Sequence, residues 1–307
     1  MWVQVLGSAA GGGFPQWNCG CRNCQGQRQR TVQARARTQT SIAVSVDRRT
    51  WFLVHASPDI RAQIESFAPL HPRALRETPI AGILLTNGDL DQCLGLLSLR
   101  ESQPLHLYAT NRVRDGFTRG NVLYRTLNRT PDQITWHALK PHAAEEFLFM
   151  PDGTPSGLLV RAVPVPGKVP LHLEEELRPD EEDTIALLIR DGASGRTLAY
   201  VPCVAGPSPE LSPLLDAADC LFFDGTFWTG DELITLGLGR RSAIEMGHWP
   251  LDGPDGSLRM LASLRDTRRI LVHINNTNPI LDEQSRERRS VEAAGIEVSY
   301  DGMEVVV

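Results

Sequence analysis

The 307-residue chain has no surplus of positive charge: Lys+Arg 31 stand against Asp+Glu 37, a formal net charge of -6. No Lys/Arg block gathers a local basic field either, so no nucleic-acid partner is expected, because phosphate backbones demand one. Long apolar runs are missing. Without a stretch of about 20 apolar residues, no bilayer-spanning helix and no membrane partner are expected. The opening Met1-Trp2-Val3-Gln4-Val5-Leu6-Gly7 is apolar but has no basic flank and runs into Gly11-Gly12-Gly13. It reads as a first strand and not as a secretion signal. Cysteine is scarce, with six in the whole chain, too few to staple a fold of this size. Cys19, Cys21 and Cys24 nevertheless crowd together, which reads as reduced thiolates in a cytoplasmic protein. Repeats and flexible linkers are absent, so one domain over residues 1–307 is expected.

What is present suits a globular enzyme: 41% of residues are hydrophobic and 22% charged, enough for a large core. Strand-like runs at Val3–Leu6, Ser41–Val46, Trp51–Val54, 80–85, His106–Ala109, Gly157–Val163, Thr184–Ile189, Thr197–Val201, Leu221–Phe223 and Ile270–His273 alternate with helical ones. The helical runs are 59–67, Leu94–Leu99, Ser257–Leu264 and Glu283–Ala294. Strands with interspersed helices, and polar loops after apolar strands, predict an α/β (α+β) sandwich with helices outside. The Pro- and Glu-rich stretch Pro164–Asp183 reads as a solvated surface loop.

Three kinds of chemistry can be read locally. Cys19-Gly20-Cys21-Arg22-Asn23-Cys24 has thiolates spaced to converge on one tetrahedral zinc, with a fourth ligand from elsewhere. Thr86-Asn87-Gly88-Asp89-Leu90-Asp91-Gln92 follows an apolar strand and opens a helix, so its alternate side chains can share one cleft. Two carboxylates there need a cation or a proton between them, although Asp is also an ordinary helix cap. Asp224 and His273 each end an apolar strand, and either residue alone is more often a turn or a satisfied polar group than a ligand. His248 lies in a loop before a helix, where it could serve as an acid or base.

Together these pieces resemble the metallo-β-lactamase superfamily. Its strand-end motif His-x-His-x-Asp-His would align with Asn87, Asp89, Asp91 and Gln92. The runs from Leu6 to Cys19, Ala56-Ser57-Pro58-Asp59-Ile60-Arg61, Pro166-Gly167-Lys168-Val169-Pro170, Phe223-Asp224-Gly225-Thr226, Met246-Gly247-His248 and His273 to Pro279 narrow the resemblance to the family of coenzyme PQQ synthesis protein B, over the whole chain. The resemblance implies a four-layer αββα sandwich with a structural Zn2+ on the clustered cysteines. It also implies a place in pyrroloquinoline quinone (PQQ) biosynthesis: iron- and O2-dependent hydroxylation of the tyrosine ring in a cross-linked Glu–Tyr intermediate.

On that reading Asp91 and His273 are the leading ligands of a cleft Fe2+, followed by Asp89, Asp224 and Asp183, and His273 is also open as the fourth ligand of the cysteine zinc. His248 would transfer protons, and Lys168 or Arg61 would pair with carboxylates of the small-molecule, dipeptide-derived PQQ precursor. The family usually has His where Gln92 stands and Asn where His55 stands. An amide binds such metals less well than imidazole, so cleft Zn2+, or no metal, stays open. His55 reads first as a hydrogen-bonding strand-end histidine and, more sharply, as a replacement ligand. The rival readings are a two-metal hydrolase of the same fold, weakened by Asn87 and Gln92, and a non-catalytic PQQ or intermediate carrier. Pairing as a homodimer also stays open.

Overall fold

The computed structural model describes residues 1–307. In chain order it runs β1 (Trp2–Gly7), α1 (Arg22–Gln29), β2 (Ser41–Ser45), β3 (Trp51–Val54), α2 (Ile60–Ser66), β4 (Ile80–Leu84), α3 (Leu90–Cys93), β5 (Leu105–Ala109), α4 (Asn111–Thr118), β6 (Ile134–Ala138), β7 (Glu146–Phe149), β8 (Pro155–Pro164), β9 (Ile185–Asp191) and β10 (Thr197–Val201). It continues through α5 (Leu211–Asp216), β11 (Cys220–Asp224), α6 (Glu232–Thr235), α7 (Ser257–Ser263), β12 (Arg268–Val272), α8 (Arg286–Ala293), β13 (Glu297–Val298) and β14 (Glu304–Val306).

The strands form two seven-stranded sheets, ordered β14-β1-β2-β3-β4-β5-β6 and β13-β12-β11-β10-β9-β8-β7. Each is mixed. β14, β1, β2 and β3 pair antiparallel, and from β3 to β6 the pairing is parallel. In the second sheet β7 to β10 are antiparallel, and β10 to β13 are parallel.

Period-2 alternation explains how both faces of each sheet are buried. In β10, Leu198 and Tyr200 face the space between the sheets, while Ala199 and Val201 face the outer helices. In β11, Cys220 and Phe222 point inward and Leu221 and Phe223 outward. In β3, Phe52 and Val54 point inward and Trp51 and Leu53 outward. Leu211, Leu214 and Leu215 of α5, Leu261 of α7 and Val291 of α8 cover the outer face of the second sheet. Ile60 of α2 with Val113 and Phe117 of α4 cover the first. The result is the expected four-layer αββα sandwich.

Several boundaries differ from the sequence reading for local reasons. The helix at Leu94–Leu99 is instead the four-residue α3 followed by a 3-10 turn over Leu94–Ser98, because Gly95 packs directly on the carbonyls of Ala56 and Ser57. β6 and β7 were missed: they are outermost in their sheets and only partly buried, so they lack a clean apolar pattern. The Pro164–Asp183 stretch is not wholly solvated, since Lys168, Leu171, His172 and Glu174 form one wall of a cleft.

Candidate metal cleft and cysteine knot

Parallel strands bring their C-terminal ends to one edge, where open α/β sheets place their sites. Cys203 lies two residues past β10, Asp224 is the last residue of β11, and His273 is the first after β12. Across from them, the loop after β4 carries Asn87, Asp89 and Asp91. Between these groups opens a cleft of about 510 Å3, lined by Asp89, Asp91, Lys168, His248 and His273 among others.

At its floor His273 Nε2 meets Asp91 Oδ2 at 3.0 Å. Burial opposes charge on both, yet the hydrogen bond and charge of Asp91, with Asp224 and Asp89 behind it, hold His273 above its ordinary pKa. Asp91 is correspondingly held below its own. Thr226 Oγ1 lies 2.8 Å from His273 Nδ1 and fixes the ring from the other side. His248 stacks on His273 with ring centroids 5.1 Å apart, and its Nδ1 lies 2.8 Å from Asp224 Oδ2. With Nδ1 held by a carboxylate, Nε2 of His248 is left to serve as a metal donor, an arrangement common among metal-binding histidines. That makes His248 a ligand candidate as well as the acid or base expected from sequence.

Several expected ligands are placed otherwise. Asp224 is fully buried, and both its oxygens are taken: Oδ1 accepts from Thr226 N (3.0 Å) and Thr226 Oγ1 (2.6 Å), and Oδ2 accepts from Val204 N (3.0 Å) besides its contact with His248. It orients its neighbours and does not line the cleft. Asp89 does line the cleft, but both oxygens bind Lys168 Nζ, at 2.9 and 3.0 Å. Asn87 Oδ1 accepts from Asp89 N at 2.9 Å, so it builds the turn. Asp183 pairs with Arg112 at 2.6 Å and accepts from Asp180 N, outside the cleft lining. Arg61 is exposed on α2 and does not line the cleft.

His55 and Gln92 are fully buried behind the floor. His55 Nε2 lies 2.8 Å from Thr86 Oγ1, which donates to Gln92 Oε1 at 2.9 Å; Gln92 Nε2 in turn donates to Cys203 Sγ at 3.1 Å. Because Thr86 spends its proton on Gln92, it accepts from His55, which therefore carries its proton on Nε2. The ring that was the proposed replacement ligand thus faces a hydroxyl, and its Nδ1 is buried without a partner. Burial lowers the His55 pKa to about 3, so the ring is neutral. Gln92 has both amide atoms engaged and does not line the cleft.

The cysteine knot lies at the other end of the Gly-rich loop that leaves β1. That loop passes close to Asp91 at Gly11, and Gly12 adopts a left-handed φ of 89°. Cys21 caps α1, its sulfur accepting from Cys24 N at 3.5 Å; Cys19 Sγ accepts from Cys21 N and Cys24 Sγ from Gln16 N, each at 3.4 Å. The three sulfurs lie within 4.8 Å of one another. Burial pushes the Cys21 thiol up to about 12, whereas the Cys21 N–H and adjoining sulfurs, acting against burial, hold Cys19 below its ordinary value. Thiols packed this closely ionise together only around a cation. The side-chain amide of Asn276 sits over all three, at 3.1, 3.7 and 3.3 Å from Cys19, Cys21 and Cys24. Its Nδ2 donates to each sulfur from one side of the cluster. His273, left open as the fourth ligand by the sequence, is committed to Asp91 and Thr226.

Sequence reasoning missed Cys203 and Asn276. Cys203 Sγ lies within 4.8 Å of ligand atoms of both His248 and His273. The signal was available: a ligand-type residue just beyond an apolar strand, the same signal that singled out Asp224 and His273.

This sandwich, with its cleft at the strand ends, defines a metallo-β-lactamase-fold protein, and the profile described as "Beta-lactamase superfamily domain" matches residues 50–274. A diphosphatase of the PhnP family shares the fold at 20% identity, with a TM-score of 0.66 and coverage of 100% of this chain and 97% of that one. Nearer relatives narrow the class. "Coenzyme PQQ synthesis protein B" of Ectopseudomonas mendocina is 44% identical over 310 residues, and that of Pseudomonas putida 42% over 308, each covering 100% of both chains. The crystal structure of Zn(2+)-bound PqqB from Methylobacterium extorquens matches with a TM-score of 0.89 at 42% identity, covering 100% of both chains. The chain belongs to the coenzyme PQQ synthesis protein B family. No helix is long and apolar enough to cross a membrane.

Proposed function

We propose that the chain acts in PQQ biosynthesis as a cytoplasmic, metal-dependent oxygenase that hydroxylates the tyrosine ring of a cross-linked Glu–Tyr precursor. The observation that carries this reading is His273, which meets Asp91 at 3.0 Å on one side and stacks on His248 with ring centroids 5.1 Å apart on the other. Two imidazoles and one carboxylate are the usual holders of non-haem Fe(II) where open positions are kept for O2 and substrate. When bound there, iron supplies O2 activation. One oxygen atom goes to the ring, and the other leaves as water with two electrons and two protons from an external reductant.

The protein's part is to hold and to orient. Asp224 and Thr226 fix both imidazoles, and the Asp91–His273 contact draws one carboxylate to the same point. Lys168 stands on the cleft wall, and a substrate carboxylate would compete with Asp89 for its ammonium. Arg241 lines the same cleft, held by both oxygens of Glu174 at 2.7 Å. A precursor rich in carboxylates suits that rim. At the knot, a structural zinc on Cys19, Cys21 and Cys24 would be closed by Asn276 once its amide turns its oxygen inward; the Zn2+ bound by the Methylobacterium relative supports metal in this family. The hydrolase reading is weaker, because Asn87 and Gln92 are turned to hydrogen bonding and cannot complete a second metal site.

The test is to load metal-free cleft with Fe(II) without oxygen, add the cross-linked dipeptide, and then admit O2 with a reductant. The expected outcome is a product heavier by one oxygen atom, formed with one iron per cleft. Esterase or phosphodiesterase turnover with two zinc ions, and no oxygen uptake, would replace this reading with the hydrolase.

A further inference from the structure

Gln92 is fully buried, and its amide reaches a thiol and not the cleft. That thiol belongs to Cys203, whose sulfur, with ligand atoms of His248 and His273, forms a set in which every pair lies within 4.8 Å. We propose that Cys203 is a direct ligand of the cleft metal in this chain, so that the ion is held by one sulfur and two imidazoles, with Gln92 as the residue that positions the sulfur. This rests on the reading that the cleft binds a metal.

The geometry fits an ion of tetrahedral preference. With bonds of about 2.3 Å to sulfur and about 2.05 Å to nitrogen, such an ion sets sulfur and nitrogen about 3.5 Å apart and two nitrogen or oxygen donors about 3.3 Å apart. Cys203 would close on the histidines by no more than about 1.3 Å. That movement lies within side-chain adjustment.

The surroundings are built for a sulfur ligand. Cys203 is buried, and it follows Pro202 at the end of β10, while its neighbour Val204 is pinned by an N–H bond to Asp224 Oδ2. The carboxylate that orients His248 therefore also fixes the segment carrying the sulfur. Gln92 Nε2 donates to Sγ, a contact that favours thiolate, and Gln92 is itself held by Thr86, which His55 anchors. Burial, and then the nearby charges of Asp224, Asp91 and Asp89, raise the Cys203 thiol above its ordinary pKa. Metal binding forms the metal–sulfur bond, breaks the S–H bond and releases one proton to solvent. A thiolate in the set favours zinc and other softer ions over magnesium or calcium.

The test uses the full chain with its knot zinc retained and Co(II) as the probe. Anaerobic titration of the wild-type protein is expected to give one further cobalt per chain with a near-ultraviolet thiolate-to-cobalt charge-transfer band. Cys203→Ser should keep its melting temperature and knot zinc, lose that band and bind cobalt at least tenfold more weakly, since even an outer-shell loss costs about 10–100-fold. Gln92→Leu should shift the band and weaken binding about tenfold, while Cys21→Ser should retain the band. Equal cobalt affinity and spectrum in Cys203→Ser and wild type would overturn the sulfur ligand while leaving a cleft metal intact. If wild-type protein takes up no cobalt beyond the knot, the cleft-metal reading falls, and this inference falls with it.

Discussion

The cysteine knot and the cleft are both clusters of metal-binding side chains, yet they are assembled in opposite ways. The knot draws its three sulfurs from the start of one short helix and takes a single distant residue, Asn276. The cleft takes one residue or two from each of several strand ends, and Asp91 and His273 are separated by 182 positions. A local cluster can gather its metal as soon as one turn forms, whereas the cleft exists only after both sheets have packed. The two are nevertheless joined. Asn23 Nδ2 binds the carbonyls of Asn276 and Asn278, and Asn278 Nδ2 binds the carbonyl of Gly225, so the knot steadies the loops that follow β11 and β12. Those are the loops that carry Thr226 and His273.

The sharpest way to break this comparison is at the knot. Cys21→Ser is expected to release about one zinc per chain and lower the melting temperature on the order of 10 °C, because structural-site binding energy is folding energy. Metal analysis and calorimetry check it; an unchanged zinc content would remove the knot as a closed site. Asn276→Ala should weaken the same zinc less, by about 10–100-fold.

The cleft should respond differently. His273→Ala leaves the half-buried Asp91 without its partner, and it should abolish cleft-metal binding while the knot keeps its zinc. Loss of both metals together would show that the two regions act as one unit.

At neutral pH the smallest effect concerns His55, behind the floor, whose contribution appears only on acidification. Its folded pKa of about 3 lies below the unfolded value of 6.5, so the unfolded chain takes up a proton that the folded chain refuses. Stability is therefore expected to fall as pH drops from 6.5 towards 3, by about 1.4 kcal/mol per pH unit from this residue. His55→Asn should flatten that part of the stability profile in denaturant titrations at stepped pH. A slope identical to wild type would mean that the unfolded chain gains no proton at this position.

Much of the layered fold is legible because its central strands are apolar on both faces and the chain alternates them with helices. The outermost strands β6 and β7 escaped because one face of each meets solvent. In the site, Asp91, His248 and His273 stand out as ligand-type residues beside apolar strands, and the fold brings them together. Asp224 and Asp183 look equivalent to Asp91 in sequence, yet their oxygens are consumed by Val204, Thr226 and His248 in one case and by Arg112 and Asp180 in the other.

Residue spacing alone determined that three thiols would meet, because a six-residue segment turning into a helix has few ways to keep them apart. The alternation of apolar residues likewise determined which faces of the strands are buried. Which carboxylates remain free, whether His55 reaches the cleft, and that Cys203 lies beside two histidines were decided by tertiary structure. Each depends on hydrogen-bond partners supplied by other strands, and only the packing of the two sheets sets those distances.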